Sequence, residues 1–248
     1  MEINSEIEDK DFVHIWTCNI NSSNIPKSKI QSVFSATELS RVKAFNDPED
    51  KNRYINAHFF LRNILSKYTS SSPENIEFFY SPHYEKPFID SSFNINFNLS
   101  YRNDWALLAI TDQAAVGADI EMHIEINGLD TFASNFFSEK ERRWLNSVLP
   151  GSEQNKRFFT VWTLKEAYMK ATGEGLSMQS QDFSIIIRNN EPILDLLNEH
   201  ANAKWILKEI SAPDSYSAAI AIKKNIGTPN IIVQNFPILD LSQVCSVE

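Results

Sequence analysis

The sequence has few cysteines, no long apolar run and too little positive charge to balance its acidic residues. Two cysteines occur in 248 residues; Cys18 and Cys245 lie near opposite ends and lack the spacing of a metal site, so a reducing compartment is the simpler interpretation. Lysine and arginine number 23 against 32 acidic residues, and the net charge of -9 argues against nonspecific nucleic-acid binding. No apolar run approaches the roughly 18 residues of a membrane span, and the acidic start is unlike a signal peptide. We therefore expect a soluble, cytoplasmic protein without nucleic-acid or membrane partners.

Two short motifs repeat about a hundred residues apart. Each motif is a phenylalanine followed by a serine, with a glutamate three residues after the serine: Ser35 with Glu38, and Ser138 with Glu141. This is the pattern of a helix N-cap with a capping-box acid. A longer helix follows each motif, the first opening at Asp47-Pro48, and strands follow each longer helix. The pattern predicts an α+β fold of two similar halves, each with a small antiparallel sheet packed on helices. The predicted parts are residues 1–113, residues 114–228 and a C-terminal tail, 229–248.

The middle of the chain reads as strands. From Phe93 to Ser100, apolar and polar residues alternate strictly, which predicts a half-buried strand. A later strand, AAVGADIE, places Asp119 and Glu121 on one face, two residues apart. Solvated edge charges are one interpretation of this pair. A buried strand is the other, and buried carboxylates need a cation.

The stretch FFTVWTLKEAYMKATGEGLS predicts an amphipathic helix that ends at Gly173 and Gly175. Four apolar residues at helical spacing should face a core: Val161, Leu164, Tyr168 and Ala171. Glu166 and Lys170 are four residues apart and are neighbours on one helix face. Taken alone, they could be an exposed ion pair on an ordinary helix.

GADIE at 117–121, followed by WTLKEAYMKATGEGL at 162–176, resembles the paired signature of the phosphopantetheinyl transferases. EKPFI at 85–89, FNLS at 97–100 and SRVKAF near Arg41 match further family stretches, so the likeness covers roughly residues 35–180. The chain length and the two halves look like the Sfp-type branch, whose monomers are pseudodimers of two α+β halves. The resemblance implies transfer of the phosphopantetheine arm of coenzyme A to a serine of an apo acyl or peptidyl carrier protein, with release of adenosine 3′,5′-bisphosphate.

The resemblance also implies roles for single residues. Asp119, Glu121 and Glu166 would bind Mg²⁺, for which hard oxygen ligands are suited. Glu166 would also be the general base, directly or through water, and Lys170 would stabilise or protonate the leaving group. Lys165, on the flank of the same helix, is expected to contact a phosphate.

For the nucleotide, the resemblance implies a set of residues in the first half: Arg41, Arg53, Lys86, Pro87, Ser100 and Tyr101. Two positions depart from the family pattern. Glu85 stands where the family usually has glycine, and Tyr101 stands where it has histidine. Both departures bear on the affinity for coenzyme A.

Two other functions compete with this one. A Mg²⁺ nuclease also uses strand carboxylates and a lysine, but such sites usually place the lysine on the strand of the acids, where this chain has Glu121. A non-catalytic module that binds coenzyme A or a carrier protein is the second alternative. Tyr101 favours it, whereas the presence of all four acidic and basic residues of the signature opposes it.

Overall fold

The computed structural model describes residues 11–21, 25–80, 86–173, 180–196, 204–225, 232–235 and 239–241. The chain divides into two compact units: unit 1 comprises residues 1–112 and 232–248, and unit 2 comprises residues 113–231. Three residues discussed above, Glu85, Gly175 and Cys245, lie outside the described residues. No described helix is long and apolar enough to cross a membrane.

In unit 1, helices pack on one mixed sheet. The strands are β1 (Phe12–Asn19), β2 (Phe79–Tyr80), β3 (Pro87–Phe88), β4 (Asn96–Arg102), β5 (Trp105–Thr111), β11 (Ile232–Asn235) and β12 (Leu239–Asp240). The helices are α1 (Lys27–Val33), α2 (Ala36–Ala44) and α3 (Pro48–Thr69), with short 3₁₀ helices at Pro73–Asn75 and Ser91–Phe93. The sheet order is β11-β1-β5-β4; β1, β5 and β4 are antiparallel, whereas β11 and β12 pair with β1 in parallel. β2 and β3 form a separate ribbon.

Local signals account for the helices of unit 1. The Ser35 hydroxyl accepts from the backbone N–H of Glu38, whose carboxylate accepts from the backbone N–H of Ser35, so the predicted capping box is confirmed. The Asp47 carboxylate accepts from the N–H groups of the next turn, as its position before a proline predicts. One strand boundary is wrong: β4 begins at Asn96 rather than Phe93, because Asn94 adopts a left-handed conformation (φ 50°) after the 3₁₀ turn.

In unit 2, helices pack on a second, smaller sheet. The strands are β6 (Ala115–Met122), β7 (Ser184–Arg188), β8 (Glu191–Asp195), β9 (Trp205–Ile210) and β10 (Tyr216–Lys223). The helices are α4 (Leu129–Phe136), α5 (Glu139–Leu145) and α6 (Ser152–Thr172). The sheet order is β6-β10-β9, all antiparallel, and β7 and β8 form a hairpin. Helix α6 ends at Gly173 in a left-handed conformation (φ 73°), and its four predicted core residues are buried.

The two units repeat one order of elements. Unit 1 runs β1, α2, α3, β4, β5, and unit 2 runs β6, α5, α6, β9, β10. The α+β prediction is confirmed. The predicted order of elements missed β1, the strand with which the repeat begins in unit 1.

Candidate active site

A glycine brings helix α6 against strand β6. A Cβ atom on Gly117 would lie 2.0 Å from the carbonyl oxygen of Ala167 and 2.6 Å from the backbone nitrogen of Ala171. Backbone atoms cannot give way as the end of a side chain can, so only glycine permits this approach. The two small residues on α6 complete the close contact. As a result, the carboxylates that follow Gly117 on β6 lie beside the last turns of α6.

The closest polar contact between these elements joins Lys170 to Asp119. The Lys170 ammonium donates to Asp119 Oδ1 at 2.6 Å and to the Ala118 carbonyl at 3.3 Å. The Asp119 side chain is 4% exposed and that of Lys170 is 32% exposed, so the acid of this pair is buried and the lysine side chain is partly exposed. Helix α6 therefore packs beside strand β6, as expected. Lys170 pairs with a carboxylate of that strand and is not part of an isolated surface ion pair on the helix.

The carboxylates of Glu166 and Glu121 also interact electrostatically with Lys170. Burial raises the pKa of Glu166, and the negative charge of Asp119 raises it further, against the opposing charge of Lys170. Burial lowers the pKa of Lys170, but the charges of Asp119, Glu166 and Glu121 outweigh burial and leave that pKa raised. Three acids and one lysine thus share one electrostatic environment with an excess of negative charge.

A three-ligand metal site is not preformed. Among the residues that the structure describes, no group of three or more His, Cys, Asp or Glu side chains is positioned to hold a metal ion. The ammonium of Lys170 instead lies against Asp119. The donor chemistry still suits a hard divalent cation, since the three carboxylates supply oxygen ligands and their combined charge exceeds that of the lysine.

Lys165, predicted to contact a phosphate, is paired inside unit 2. Its side chain is 2% exposed, and its ammonium donates to both oxygens of Glu141, at 2.8 and 3.0 Å, and to the Phe183 carbonyl at 2.9 Å. Burial lowers the pKa of Lys165, and the charge of Glu141 opposes this. A lysine has three N–H donors, and all three have partners inside unit 2. Lys165 therefore has these internal partners in the place of the predicted phosphate contact.

In unit 1, several of the predicted nucleotide residues meet around one arginine. The Arg41 guanidinium lies over the ring of Tyr80, 4.5 Å from its centre, and Tyr80 pairs with Pro87 across the β2–β3 ribbon. Burial raises the pKa of Tyr101; the charge of Asp50 adds to this and that of Arg41 opposes it. Arg41, Pro87 and Tyr101 therefore belong to one neighbourhood.

Arg53, Ser100 and Lys86 are placed differently. The Arg53 guanidinium donates to Asp50 and Glu49, both at 2.7 Å, in exposed ion pairs of a kind that contributes little to stability. Tyr101 packs on the unit 1 core. Ser100 is buried and, because side chains alternate along a strand, lies on the opposite face of β4. Lys86 is half-buried just before β3.

The sequence interpretation missed Tyr54. Its ring is buried, stacks on His58 with ring centres 4.0 Å apart, and its hydroxyl has no hydrogen-bond partner among the described residues. Burial raises the pKa of Tyr54, as do the charges of Glu38, Tyr80 and Tyr101, while Arg41 opposes them. This hydroxyl therefore belongs to the neighbourhood of Arg41. The only sequence signal was its position directly after Arg53, on the apolar face of α3.

Comparisons with known proteins identify the family. Residues 115–221 match the family described as the 4′-phosphopantetheinyl transferase superfamily. The chain is 31% identical over 215 residues to the 4′-phosphopantetheinyl transferase HetI of Nostoc sp., covering 86% of this chain and 88% of that protein. It is 27% identical over 174 residues to the 4′-phosphopantetheinyl transferase Sfp of Bacillus subtilis, covering 70% and 75%. A holo-(acyl-carrier-protein) synthase from Bacillus anthracis, in complex with CoA (3′,5′-ADP), gives a TM-score of 0.38 at 24% identity, covering 46% of this chain and 97% of that one. The chain therefore belongs to the Sfp-type branch of the 4′-phosphopantetheinyl transferases.

Proposed function

We propose that Asp119, Glu121, Glu166 and Lys170 form the reaction centre of a 4′-phosphopantetheinyl transferase. The enzyme transfers the 4′-phosphopantetheine moiety of coenzyme A to a serine of an apo acyl or peptidyl carrier protein and releases adenosine 3′,5′-bisphosphate. The observation that carries this assignment is the 2.6 Å contact between Lys170 of the helix signature and Asp119 of the strand signature. The 31% identity to a named transferase over most of both chains supports it.

Asp119, Glu121 and Glu166 are the residues that would hold Mg²⁺. These residues suit a divalent cation because three carboxylates share their surroundings with one lysine. Burial and the charge of Asp119 also disfavour the ionised form of Glu166 when no metal is bound. When bound, the ion would neutralise the pyrophosphate charge of coenzyme A and help to orient it. Lys170, held beside Asp119, would then contact the phosphate.

The chain's own residues supply the proton transfers. In the transfer step, the serine oxygen forms a bond to the β-phosphorus, and the bond from that phosphorus to the bridging oxygen breaks. Glu166, which lies beside the reacting phosphate in this proposal, accepts the serine proton directly or through water. Lys170, whose raised pKa keeps it cationic, stabilises the electron pair that departs on the leaving oxygen.

The neighbourhood of Arg41 in unit 1 is the proposed site for the adenosine 3′-phosphate. Arg41 supplies charge, and the hydroxyl groups of Tyr101 and Tyr54 supply neutral hydrogen-bond donors. Lys86, Ser100, Arg53 and Pro87 remain part of the proposal through the family resemblance. The Arg53 pairs with exposed acids are weak enough for a phosphate to displace.

The alternative of a non-catalytic binding module is not favoured, since the acids and the lysine of the signature are all present and meet. Mass spectrometry separates the two functions. An apo carrier protein incubated with the enzyme, coenzyme A and Mg²⁺ should gain the mass of one phosphopantetheine, and omission of Mg²⁺ should prevent the gain. Binding of coenzyme A by calorimetry without any gain in carrier mass would contradict the catalytic function and favour the binding module.

A further inference from the structure

Each unit contains one buried acid that is paired with a cation 24 residues later in the chain. In unit 1, Glu38 accepts from Arg62 at 2.6 Å; in unit 2, Glu141 accepts from Lys165 at 2.8 Å. Both acids are the capping-box residues of their short helices, and both cations come from the long helix that follows. The repeat thus preserves a buried ion pair as well as an order of elements.

In unit 2 this pair ties three elements together. Glu141 Oε2 accepts from the backbone N–H of Ser138 at the start of α5, and Oε1 accepts from the backbone N–H of Ile185 in β7. Lys165 donates to the Phe183 carbonyl and lies 4.0 Å from the centre of the Phe183 ring. Its side chain is 2% exposed and the Glu141 side chain is fully buried. These contacts hold the ammonium of Lys165 in one position.

The position of Lys165 also determines the position of its neighbour Glu166 in the reaction centre. Lys165 precedes Glu166, and each residue of an α-helix turns the chain by about 100° and advances it by about 1.5 Å. A buried charge cannot be left without its partner, so the pair fixes both the rotation and the axial position of α6. Gly117 fixes how closely the face of α6 with Ala167 and Ala171 approaches β6, and the buried pair adds a second constraint from a different face of the helix.

We propose that the Glu141–Lys165 pair is a positioning device that sets α6 so that Glu166 and Lys170 reach Asp119, an inference that rests on the proposed function of that site. Lys165 and Glu141 touch neither substrate nor metal in this role. They act through Glu166 and Lys170.

The test uses the double variant Glu141→Gln with Lys165→Met. It removes both charges together, keeps an oxygen acceptor for Ile185, and avoids the uncompensated buried carboxylate that Lys165→Met alone would leave. We expect kcat to fall tenfold or more for the correctly folded double variant, while the KM for coenzyme A stays within about twofold. A wild-type kcat in the folded double variant would overturn the proposal. A raised KM with unchanged kcat would also overturn it and would return Lys165 to a phosphate contact.

The matched control is the pair of unit 1, Glu38→Gln with Arg62→Met. It removes a buried ion pair of the same kind from a helix that carries neither Glu166 nor Lys170. Its kcat at saturating coenzyme A should stay within about twofold of the wild type. A tenfold loss of kcat in this control would show that loss of any buried pair has the same effect, and the positioning role would be refuted.

A stability measurement, which does not depend on enzymatic activity, tests this proposal independently of the proposed function. The coupling between Asp119 and Lys170 is measured by a double-mutant cycle of unfolding, using Asp119→Asn and Lys170→Met without metal. In the background of the double variant at positions 141 and 165, this coupling should fall by at least half. An unchanged coupling overturns the positioning role even if transfer is observed. An inactive wild-type enzyme with the expected loss of coupling would instead overturn the proposed function alone.

Discussion

The ammonium nitrogen of Lys170 lies 2.6 Å from Oδ1 of Asp119, and this contact joins the last turns of α6 to β6. It puts a fixed cation next to the carboxylates proposed to meet the pyrophosphate.

Replacing Lys170 by methionine should lower kcat by about a hundredfold or more, because a preorganised cation at a developing negative charge is worth roughly 3–4 kcal/mol. The KM for coenzyme A should rise far less, since the interaction strengthens as the leaving oxygen gains charge. Steady-state kinetics on an apo carrier protein measures both constants. A large rise in KM at unchanged kcat would show that Lys170 binds only ground-state phosphate.

Replacing Glu166 by glutamine should abolish transfer and leave the metal-free protein as stable as the wild type or more so. The charged form of Glu166 is disfavoured by burial and by Asp119, and the amide removes that repulsion. Thermal melting in EDTA and the carrier mass assay check the two parts. A clear loss of stability in EDTA would mean that the Glu166 charge stabilises the fold.

Replacing Gly117 by alanine should destabilise unit 2 by about 1–3 kcal/mol and strongly reduce transfer, since the added methyl group meets helix backbone at 2.0 and 2.6 Å. Helix α6 would have to move away from β6 and take Glu166 and Lys170 with it. Urea unfolding and kcat measure the effect. Wild-type activity in this variant would show that the contact tolerates a shift and that the spacing of the two elements is not critical.

Replacing Tyr101 by histidine should lower the KM for coenzyme A several-fold below pH 7, with little gain above pH 8. A 3′-phosphate nearby raises the pKa of a histidine, and the imidazolium then donates a charge-assisted hydrogen bond that a tyrosine hydroxyl cannot match. Dephospho-coenzyme A lacks this phosphate and is the matched control, for which no gain is expected. An equal gain for both compounds would remove Tyr101 from the phosphate site.

Replacing Glu38 by glutamine should remove part of the acid sensitivity of unit 1. Burial raises the pKa of Glu38, but the bonds from His58 and Arg62, the charge of Arg62 and the Ser35 N–H outweigh it and lower the pKa from 4.5 to about 2. A lowered pKa contributes stability that is complete above pH 4.5 and is lost as the pH falls towards 2, here roughly 3 kcal/mol.

Urea unfolding from pH 7 to pH 2.5 measures this loss. The free energy of unfolding of Glu38→Gln should change less steeply with pH below 4.5 than that of the wild type. Glu139→Gln removes an acid whose ion pair is exposed and serves as the control, with the wild-type slope expected. Identical slopes for all three proteins would contradict the role of Glu38.

Part of the fold could be predicted because its signals are local. The capping boxes at Ser35 and Ser138, the start of α3 at Asp47 and the end of α6 at Gly173 depend on neighbours in the sequence. Strand β1 could not be placed in the same way. It is an almost continuous buried run whose partners lie nearly a hundred residues or more away.

The candidate site was predictable to a similar extent. The resemblance grouped the acids with Lys170, and their shared electrostatics agree with that grouping. It could not show where Lys165 points, because α6 buries residues on most of its circumference and its charged positions look alike in the sequence. The partner of Lys165 lies in another helix and could be identified only from the packed structure. The same holds for Tyr54, whose role depends on residues from α2, β2 and β4.

The parallel pairing of β11 and β12 with β1 has a consequence for biosynthesis. The ribosome makes β1 before unit 2, and it makes the strands that cover this edge of β1 after unit 2. Unit 2 lies wholly between them in the chain and can complete its own sheet while β1 still waits for its final neighbours. During that interval the nascent protein presents an unpaired, apolar strand edge, the kind of surface that promotes association between chains. A product that terminates before Ile232 would retain β6 and α6 yet keep that edge permanently open, so its main defect would be poor solubility rather than lost chemistry.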